Sequence, residues 1–376
     1  MGVIRERYKL SRLIPKNHFC SMPIFREEPL ISWPFTDTVL FTAYDVYRSN
    51  DFWLDNVIKS GQTLKEGLVE LGFPKEKTLV ADTGVFELEA KKAGLARDLG
   101  IDVDFEMSNE QIFEVYELSG ADYYVAPDLI VLATDSTEVV SKKVDTIKQN
   151  LVDLLNYIPA SKIIAVIQGH TKVVIDDLYD FYMQQGISCF AIGGVIPLYH
   201  HSKDLLEKVL KYVRELAKSQ WLHVFGLPII ALLNYYLHDI NIDSVDTSAL
   251  LYLSARRQYL VSSRTQPVRE AIFKRCECLG CRNLSPEMAS YSQEFFINLY
   301  IHNLSEAAKL AIRPNPNVGT IIDSRMKVDK IKQHSKKEKT PRQEYEPIEK
   351  TTWLTAEEVI KMQRKEGVGK TTPENE

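Results

Sequence analysis

Three cysteines lie close together near residue 280, at a spacing that suits a metal ion. Cys276, Cys278 and Cys281 fall within six residues, whereas the other two of the five cysteines, Cys20 and Cys189, stand alone. An odd number with three crowded together is a poor disulfide framework. Thiolates at positions i, i+2 and i+5 can converge on one ion from a tight turn. The spacing therefore favours a metal site over the alternative, three reduced surface thiols without metal.

A second set of chemically active residues follows short apolar runs along the chain. It comprises three carboxylates, one amide and several glycines: Asp82 with Gly84, Asp128, Gln168 with Gly169, Gly193 with Gly194, Gly226, and Asp246. Because Asp and Gly are common turn residues, each position taken singly has a structural explanation. Six such positions on successive strands predict instead a single polar rim, where glycines let the backbone approach a flat ligand closely.

The elements that position this rim alternate between strand and helix. Seven apolar, β-branched runs predict strands at Thr38–Ala43, Thr78–Ala81, Tyr123–Ala126, Ile163–Ile167, Cys189–Ile192, Leu222–Phe225 and Ile242–Val245. Between them lie helical periods, one of which begins at Ser108 or Asn109 and ends at Gly120. With an eighth strand expected around Pro29–Trp33, the alternation predicts an α/β TIM (β/α)8 barrel. No GxGxxG or GxxxxGK[ST] loop follows the first strand, which excludes the usual dinucleotide and P-loop sites.

The charge of the chain reverses locally between the last predicted strand and the cysteines. Lys plus Arg is 46 and Asp plus Glu is 51 in 376 residues, a net charge of -5, which excludes a generally basic nucleic-acid binder. Only Glu270 and Glu277 oppose seven basic residues between Leu251 and Arg282, namely Arg256, Arg257, Arg264, Arg269, Lys274, Arg275 and Arg282. This segment favours phosphate binding over a merely solvated face.

The apolar segments of the chain are too short for a membrane protein. The longest run, Phe225–Leu237, is interrupted by Gly226, Pro228 and Asn234, and a membrane span needs about 20 residues. The first residues carry no apolar signal core. These features predict a soluble, cytoplasmic protein without a membrane partner.

In their order, these motifs resemble the tRNA-guanine transglycosylases, a family that includes queuine and archaeosine tRNA-ribosyltransferases and a DNA-modifying branch. The resemblance spans about residues 38–310. The matching segments are Asp82-Thr-Gly-Val-Phe86-Glu87, Val166-Ile-Gln168-Gly169, Ala191-Ile-Gly-Gly194-Val, His223-Val-Phe-Gly226, Ile242-Asp-Ser-Val-Asp246-Thr247, and the three cysteines followed by His302.

The resemblance implies an enzyme, a pentosyltransferase that replaces guanine by a 7-deazaguanine base in tRNA, as in queuosine- or archaeosine-type modification. Asp246 would be the nucleophile and Asp82 the general acid/base, in a double displacement like that of a retaining glycosidase. The residues implied in base binding are Asp128, Gln168, Gly193, Gly194 and Phe86, and those implied in nucleic-acid binding are Arg256, Arg257, Arg264, Arg269, Lys274 and Arg275.

The resemblance also implies one structural zinc ion per chain and a homodimer. The ligands would be Cys276, Cys278, Cys281 and His302, with His200 and His201 as alternatives for the fourth position. This places a small zinc-binding subdomain, about residues 265–305, near the C-terminal end of the barrel.

Several positions depart from the family pattern. Glu87 stands in place of Gln, His170 in place of a second Gly, and Val245 in place of Phe. The Pro-Thr-Arg that commonly follows the nucleophile is absent, and no archaeal RNA-binding module is visible. The same exchange on DNA therefore stays an alternative. A non-catalytic partner subunit is disfavoured by the presence of both Asp82 and Asp246, and an unrelated barrel glycosidase would not need the zinc ligands.

The composition divides the chain into three parts. Residues 1–37 form an N-terminal segment, residues 38–325 the transglycosylase barrel with its zinc subdomain, and residues 326–376 a charged, mobile linker. Within the last part, Thr355 and Glu358 form a capping-box pair, and Gly367 follows. They favour a short helix at Thr355–Lys365, with a disordered tail as the alternative.

Overall fold

Eight parallel strands close into a barrel in the order of the chain. The computed structural model describes residues 17–21, 38–48, 59–70, 73–84, 107–247, 249–261, 264–268, 276–284 and 293–312. The strands are β1 (Asn17–Ser21), β2 (Thr38–Thr42), β3 (Thr78–Asp82), β4 (Tyr123–Val125), β5 (Ile163–Ile167), β6 (Cys189–Ile192), β7 (Trp221–Val224) and β8 (Ser244–Asp246). The barrel fold predicted from the alternation is confirmed.

The first strand differs from the prediction. Each of the seven apolar runs overlaps a strand, but the eighth strand is Asn17–Ser21 and not Pro29–Trp33, a segment that lies outside the described residues. β1 closes the barrel because it pairs on both sides, Cys20 with Val39 of β2 and Phe19 with Asp246 of β8. The barrel thus includes part of the segment 1–37 that the sequence placed outside it.

Helices connect the strands and cover the outside of the barrel. They are α1 (Ala43–Arg48), α2 (Leu64–Glu70), α3 (Asn109–Ser119), α4 (Thr137–Leu154), α5 (Lys172–Gln184), α6 (Val195–His201) and α7 (Lys203–Ala217). A 3-10 turn at Ala160–Lys162 precedes β5, and a second 3-10 turn (Ile230–Leu232) and a π-helical turn (Tyr235–Asp239) connect β7 to β8.

Helix α3 shows how the sequence fixes the ends of an element. The Ser108 hydroxyl accepts from the backbone N–H of Gln111, and the Gln111 side chain accepts from the N–H of Ser108. At the other end Gly120 has φ 61°, the left-handed conformation that a helix C-terminus often requires and that glycine adopts without strain. Both predicted ends of this helix are confirmed.

The strands bury side chains on both of their faces, as expected for a parallel barrel. One layer, between the strands and the helices, includes Phe41, Leu79 and Phe190. The other fills the inside of the barrel and includes Leu40, Val166 and Trp221. Because the inside is packed with side chains, a substrate can reach only the rim.

A small subdomain follows the last barrel strand. Helix α8 (Ala249–Ala255) leads into an antiparallel hairpin of β9 (Gln258–Val261) and β10 (Arg264–Pro267). Two helices, α9 (Leu279–Asn283) and α10 (Gln293–Ile312), pack against each other, and α10 also packs on α8 and β9. A separate apolar cluster, which includes Tyr259, Leu284, Phe295 and Leu299, forms its core. The predicted terminal helix at Thr355–Lys365 lies outside the described residues.

Among the described residues, no helix has both the length and the apolar character needed to cross a membrane.

Candidate functional site

The three carboxylates of the sequence pattern meet at the C-terminal rim of the barrel. Asp82 is the last residue of β3, Asp246 is the last residue of β8, and Asp128 follows β4. Burial and, to a smaller extent, the nearby charges of Asp128 and Asp246 raise the pKa of Asp82 to about 7, although hydrogen bonds from the backbone N–H groups of Thr83 and Gly84 oppose the increase. Asp82 is therefore a carboxyl group that holds or releases a proton near neutral pH.

The Asp246 carboxylate is held by the turn that follows β7. The backbone N–H of Gly226 donates to its Oδ1 at 2.6 Å, and His223 Nε2 lies 3.5 Å from the same oxygen. The N–H of Leu227 donates to the Asp246 carbonyl oxygen at 3.0 Å. Gly226 has φ 73°, a conformation that favours glycine and turns the chain towards the carboxylate. The side chain of Asp246 is 14% exposed, so it stays accessible from the rim.

Asp128 and Gln168 form a buried polar pair. Gln168 Nε2 donates to Asp128 Oδ2 at 2.5 Å, and the backbone N–H of Val131 donates to Gln168 Oε1 at 3.3 Å, which fixes the orientation of the amide. Gly193 lies directly against this amide, since a Cβ at that position would collide with the Gln168 side chain. The close approach requires glycine and joins two of the predicted site segments.

The remaining predicted site residues differ in where they lie and in what they contact. Gly194 has φ 65° and precedes α6. Arg256 and Arg264 are exposed on the surface near the subdomain. Arg257 has another role, because its guanidinium donates to the carbonyl oxygens of Ser254 and Ala255 at the end of α8, both at 3.1 Å. The residues outside the described part of the chain are Phe86, Arg269, Lys274 and Arg275.

The predicted metal ligands come together in the subdomain. The Sγ atoms of Cys276, Cys278 and Cys281 lie 3.5, 3.4 and 3.2 Å from His302 Nδ1, and all four ligand atoms lie within 4.8 Å of one another. Metal–ligand bonds of about 2.3 Å to sulfur and about 2.0 Å to nitrogen give a sulfur–nitrogen edge of about 3.5 Å in a tetrahedron. The four side chains therefore fit one tetrahedral metal ion, and His302 rather than His200 or His201 is the fourth member.

Neighbouring groups prepare these ligands. His302 Nε2 donates to the Leu260 carbonyl oxygen at 2.7 Å, which leaves Nδ1 as the lone-pair nitrogen facing the thiols. The Tyr259 hydroxyl lies 2.8 Å from Cys281 Sγ, and its ring stacks on the His302 ring at 3.7 Å between centroids. A hydrogen bond from Cys281 lowers the pKa of Cys278 and favours the thiolate that a metal requires.

Two of these contacts involve residues to which the sequence alone assigned no role, His223 and Tyr259. The signal for His223 was present, since it is the polar member of the alternating set Trp221, His223 and Phe225 in an otherwise apolar strand. Tyr259 carried no such signal because an aromatic residue in a short strand is usually a core residue.

The parallel barrel, the carboxylates at its C-terminal rim and the Cys3His cluster beside it are the features of a barrel enzyme with a metal-binding subdomain. The family model of queuine tRNA-ribosyltransferase matches residues 71–313, more than half of the chain, and the chain belongs to this family. Members of this family are guanine base-exchange transglycosylases. No curated protein matches the sequence. The match begins after β1 and β2, two strands that the structure adds to the barrel.

Proposed function

We propose that the protein replaces guanine by a 7-deazaguanine base in tRNA through a covalent ester on Asp246. The observation that carries the proposal is the pairing of two carboxyl groups in different environments at one rim. Asp246 accepts a backbone hydrogen bond at 2.6 Å, while Asp82 has a pKa raised to about 7 by burial and by its carboxylate neighbours. A buried carboxyl group with a raised pKa suits proton transfer, and a neighbouring carboxyl group that is accessible from the rim suits nucleophilic attack.

The proposed reaction has two balanced halves. In the first, an oxygen of Asp246 attacks C1′ of the ribose, and the bond from C1′ to guanine N9 breaks. The bonding electron pair leaves with the base, which takes a proton from Asp82. In the second half, N9 of the incoming base attacks C1′, gives its proton to Asp82, and releases the Asp246 carboxylate. Each displacement inverts the configuration at C1′, so the two displacements together retain it.

The base would be recognised by the pair formed by Asp128 and Gln168. A carboxylate accepts two N–H bonds from the amidine edge of a guanine-like base. The amide of Gln168 is held by Val131 and by Gly193, so its donor and acceptor have fixed directions. Gly194 completes the site in this proposal with its backbone, and the resemblance to the family adds Phe86, which lies outside the described residues.

We assign the metal site to one structural zinc ion per chain. Three thiolates and one imidazole are the donor set that zinc prefers, and four protein ligands close its coordination sphere. The cluster therefore stabilises the subdomain and takes no direct part in base exchange. By the resemblance to its family, we also expect the protein to act as a homodimer.

The choice of tRNA over DNA depends on how the target base is presented. Attack at C1′ needs no 2′-hydroxyl, so the chemistry is the same on both nucleic acids. The target base must leave its stack before it can react, which costs least in a single-stranded loop. Because tRNA contains such loops and the family model describes a tRNA-ribosyltransferase, tRNA is the preferred substrate.

The test offers labelled guanine to the protein with bulk tRNA and, separately, with duplex DNA. We expect label to enter tRNA, and a denaturant-resistant adduct between protein and tRNA to form. Asp246→Asn should abolish both while folding and zinc content persist, and Asp82→Asn should slow exchange by roughly 100-fold, the usual scale for lost acid–base catalysis. Asp145→Asn, which changes an exposed carboxylate on α4, is the matched control.

The outcomes separate the alternatives. Label that enters DNA and never tRNA would overturn the substrate but keep the chemistry. An adduct at the parent level in Asp246→Asn would remove Asp246 from its role. Protein that binds nucleic acid and exchanges no base with either would favour the non-catalytic partner subunit.

A further inference from the structure

A buried histidine lies directly beneath the proposed nucleophile. His223 is on β7 and has no exposed surface. Trp221 and Phe225, two residues away on either side, point to the same face of the strand. The imidazole stacks on the Trp221 ring at 5.7 Å between centroids and meets the Phe225 ring edge-on at 4.5 Å. These two aromatic rings restrict the rotation of the imidazole.

Its two nitrogens face different groups on the neighbouring strand. Nδ1 lies 2.8 Å from the Ser244 hydroxyl, and Nε2 lies 3.5 Å from Asp246 Oδ1. Ser244 is the direct partner of His223 in the pairing of β7 with β8, and Asp246 is two residues further on the same face. One imidazole therefore contacts both polar side chains that β8 directs to its side.

The donors and acceptors in this set have one consistent assignment. Burial lowers the pKa of His223, and the opposing effect of Asp246 is smaller, so the imidazole is neutral. An ionised carboxylate can only accept hydrogen bonds, so the nitrogen that faces it must carry the proton. Nε2 then directs its N–H towards Asp246 Oδ1 across 3.5 Å, a contact longer than an ordinary hydrogen bond, and Nδ1 accepts from the Ser244 hydroxyl.

This arrangement has a consequence for the carboxylate. The Gly226 N–H donates to Oδ1 at 2.6 Å, and His223 Nε2 faces the same oxygen at 3.5 Å. One hydrogen bond and one polar contact on the same oxygen restrict the rotation of the carboxylate about its last side-chain bond. The second oxygen, Oδ2, is thereby held in one direction relative to the rim.

We propose that His223, held by Ser244, is a positioning residue that orients Asp246 so that Oδ2 attacks C1′ of the nucleotide. The proposal rests on the assignment of Asp246 as the nucleophile. In the first displacement Oδ2 forms the ester bond to C1′ as guanine leaves with the electron pair and a proton from Asp82. In the second, the same donors receive the carboxylate as it departs. Orientation of a reacting group contributes to the rate and not to substrate affinity.

The experiment compares three variants for kcat and KM in base exchange with tRNA, and for the rate of adduct formation at saturating tRNA. His223→Phe removes the hydrogen bond with Ser244 and the polar contact with Asp246, and should lower kcat by roughly 30-fold with KM within about twofold, the pattern of a misoriented reacting group. His223→Gln keeps an N–H that can reach Asp246 and should restore kcat to within about threefold of the parent. Ser244→Ala should lower kcat severalfold.

Thermal unfolding and zinc content establish that each variant is folded. A parent-like kcat in folded His223→Phe, an increase in KM alone, or equal losses in the Phe and Gln variants would overturn the proposal. If His223→Phe does not fold, a parental kcat in Ser244→Ala overturns it, and a reduced kcat in Ser244→Ala with near-parental activity in His223→Gln supports it. Asp246→Asn keeps the two proposals distinct, because undiminished adduct in that variant refutes the nucleophile assignment itself.

Discussion

At the scale of single residues, the decisive feature is a carboxyl group that gains or loses its proton near neutral pH. Asp82 ends a barrel strand at a partly buried position, and burial with two neighbouring carboxylates raises its pKa to about 7. The N–H groups of Thr83 and Gly84 reduce the increase without cancelling it. The burial that suits Asp82 for proton transfer also has an effect on stability. Ionisation of the buried side chain lowers the free energy of unfolding.

This effect predicts how stability varies with pH. The folded pKa of Asp82, about 7, lies above the ordinary value of 3.8, so the contribution of this group to stability is complete below pH 3.8 and is lost as the pH rises through 7. Asp82→Asn cannot ionise. We expect its free energy of unfolding to exceed that of the parent at pH 8, by an amount on the order of a few kcal/mol, and to approach it near pH 4.

Urea unfolding at pH 4, 6 and 8 measures this difference. Asp145→Asn, on the exposed side of α4, is the control for removal of a carboxylate as such, and its effect should vary little between pH 6 and 8. A constant difference between Asp82→Asn and the parent at all three pH values would contradict the raised pKa.

The sequence was sufficient to find Asp82 and Asp246 but insufficient for the group that holds Asp246. Both carboxylates directly follow apolar runs, so their position at strand ends could be read from the pattern. In the proposal His223 is held by Ser244, its pairing partner on β8, which lies 21 residues further along the chain. Only the register of the barrel brings these two together, and one sequence without the structure does not determine that register.

At the scale of elements, the subdomain is held together where strand β9 meets helix α10. The backbone of Leu260 makes two hydrogen bonds to α10. Its N–H donates to Asn303 Oδ1 at 2.8 Å, and its carbonyl oxygen accepts from His302 Nε2 at 2.7 Å. Asn303 also donates to the Ser254 hydroxyl and to the Gln258 carbonyl. A metal ion bound by His302 would thus stabilise the junction of α8, β9 and α10 as well as the cysteine turn.

Tyr259 supports the metal cluster from the same strand, and we predict that Tyr259→Phe releases the metal faster. Its hydroxyl contacts Cys281 Sγ at 2.8 Å while its ring stacks on His302. The phenylalanine keeps the stacking and removes the hydrogen bond to the thiolate. Groups of this kind change metal affinity by about 10- to 100-fold, and we expect zinc release into a chelator to accelerate by roughly 10-fold.

Tyr235→Phe is the matched control, because it removes a tyrosine hydroxyl that is hydrogen bonded to Glu207, a residue of α7. It should leave the rate of zinc release unchanged. Equal rates for the parent and Tyr259→Phe would show that the hydroxyl does not act on the bound metal. Cys278→Ala, which removes a ligand, should lose the metal altogether.

The first strand shows the limit of prediction at this scale. The seven predicted strands are β-branched and apolar, whereas β1 is Asn-His-Phe-Cys-Ser, with little intrinsic preference for a strand. It is a strand because β2 and β8 both present unpaired edges to it, and closure of the barrel removes these edges. The pairing with β2 and β8, and not the local composition, therefore determines that this segment is a strand.

At the scale of the whole molecule, charge is distributed unevenly. The chain carries a net charge of -5, yet the segment after β8 is basic. Two of its arginines, Arg256 and Arg264, are exposed, whereas Arg257 is occupied with the end of α8. The sequence identifies the segment as basic. It does not show which arginines are available for phosphate and which form hydrogen bonds within the protein, because adjacent residues in a turn point in different directions.

This division leads to a prediction in which two arginines behave oppositely. Arg264→Gln should weaken tRNA binding and reduce the slope of log K against log salt by about 0.7 to 0.9, the contribution of one phosphate contact. Arg257→Gln removes two hydrogen bonds to helix-end carbonyls and the contact of its guanidinium with the Phe295 ring, 5.8 Å away. It should lower the free energy of unfolding by about 1 kcal/mol and leave the salt slope unchanged.

Binding of tRNA between 50 and 200 mM salt, together with urea unfolding of both variants, separates these effects, and each variant is the matched control for the other. The contrast follows from the structure, since a guanidinium that already donates to Ser254 and Ala255 can approach a phosphate only by breaking those bonds. Loss of salt dependence in Arg257→Gln would mean that this arginine exchanges its carbonyl partners for phosphate when nucleic acid binds. An unchanged salt slope in Arg264→Gln would mean that residues other than Arg264 contact the phosphates.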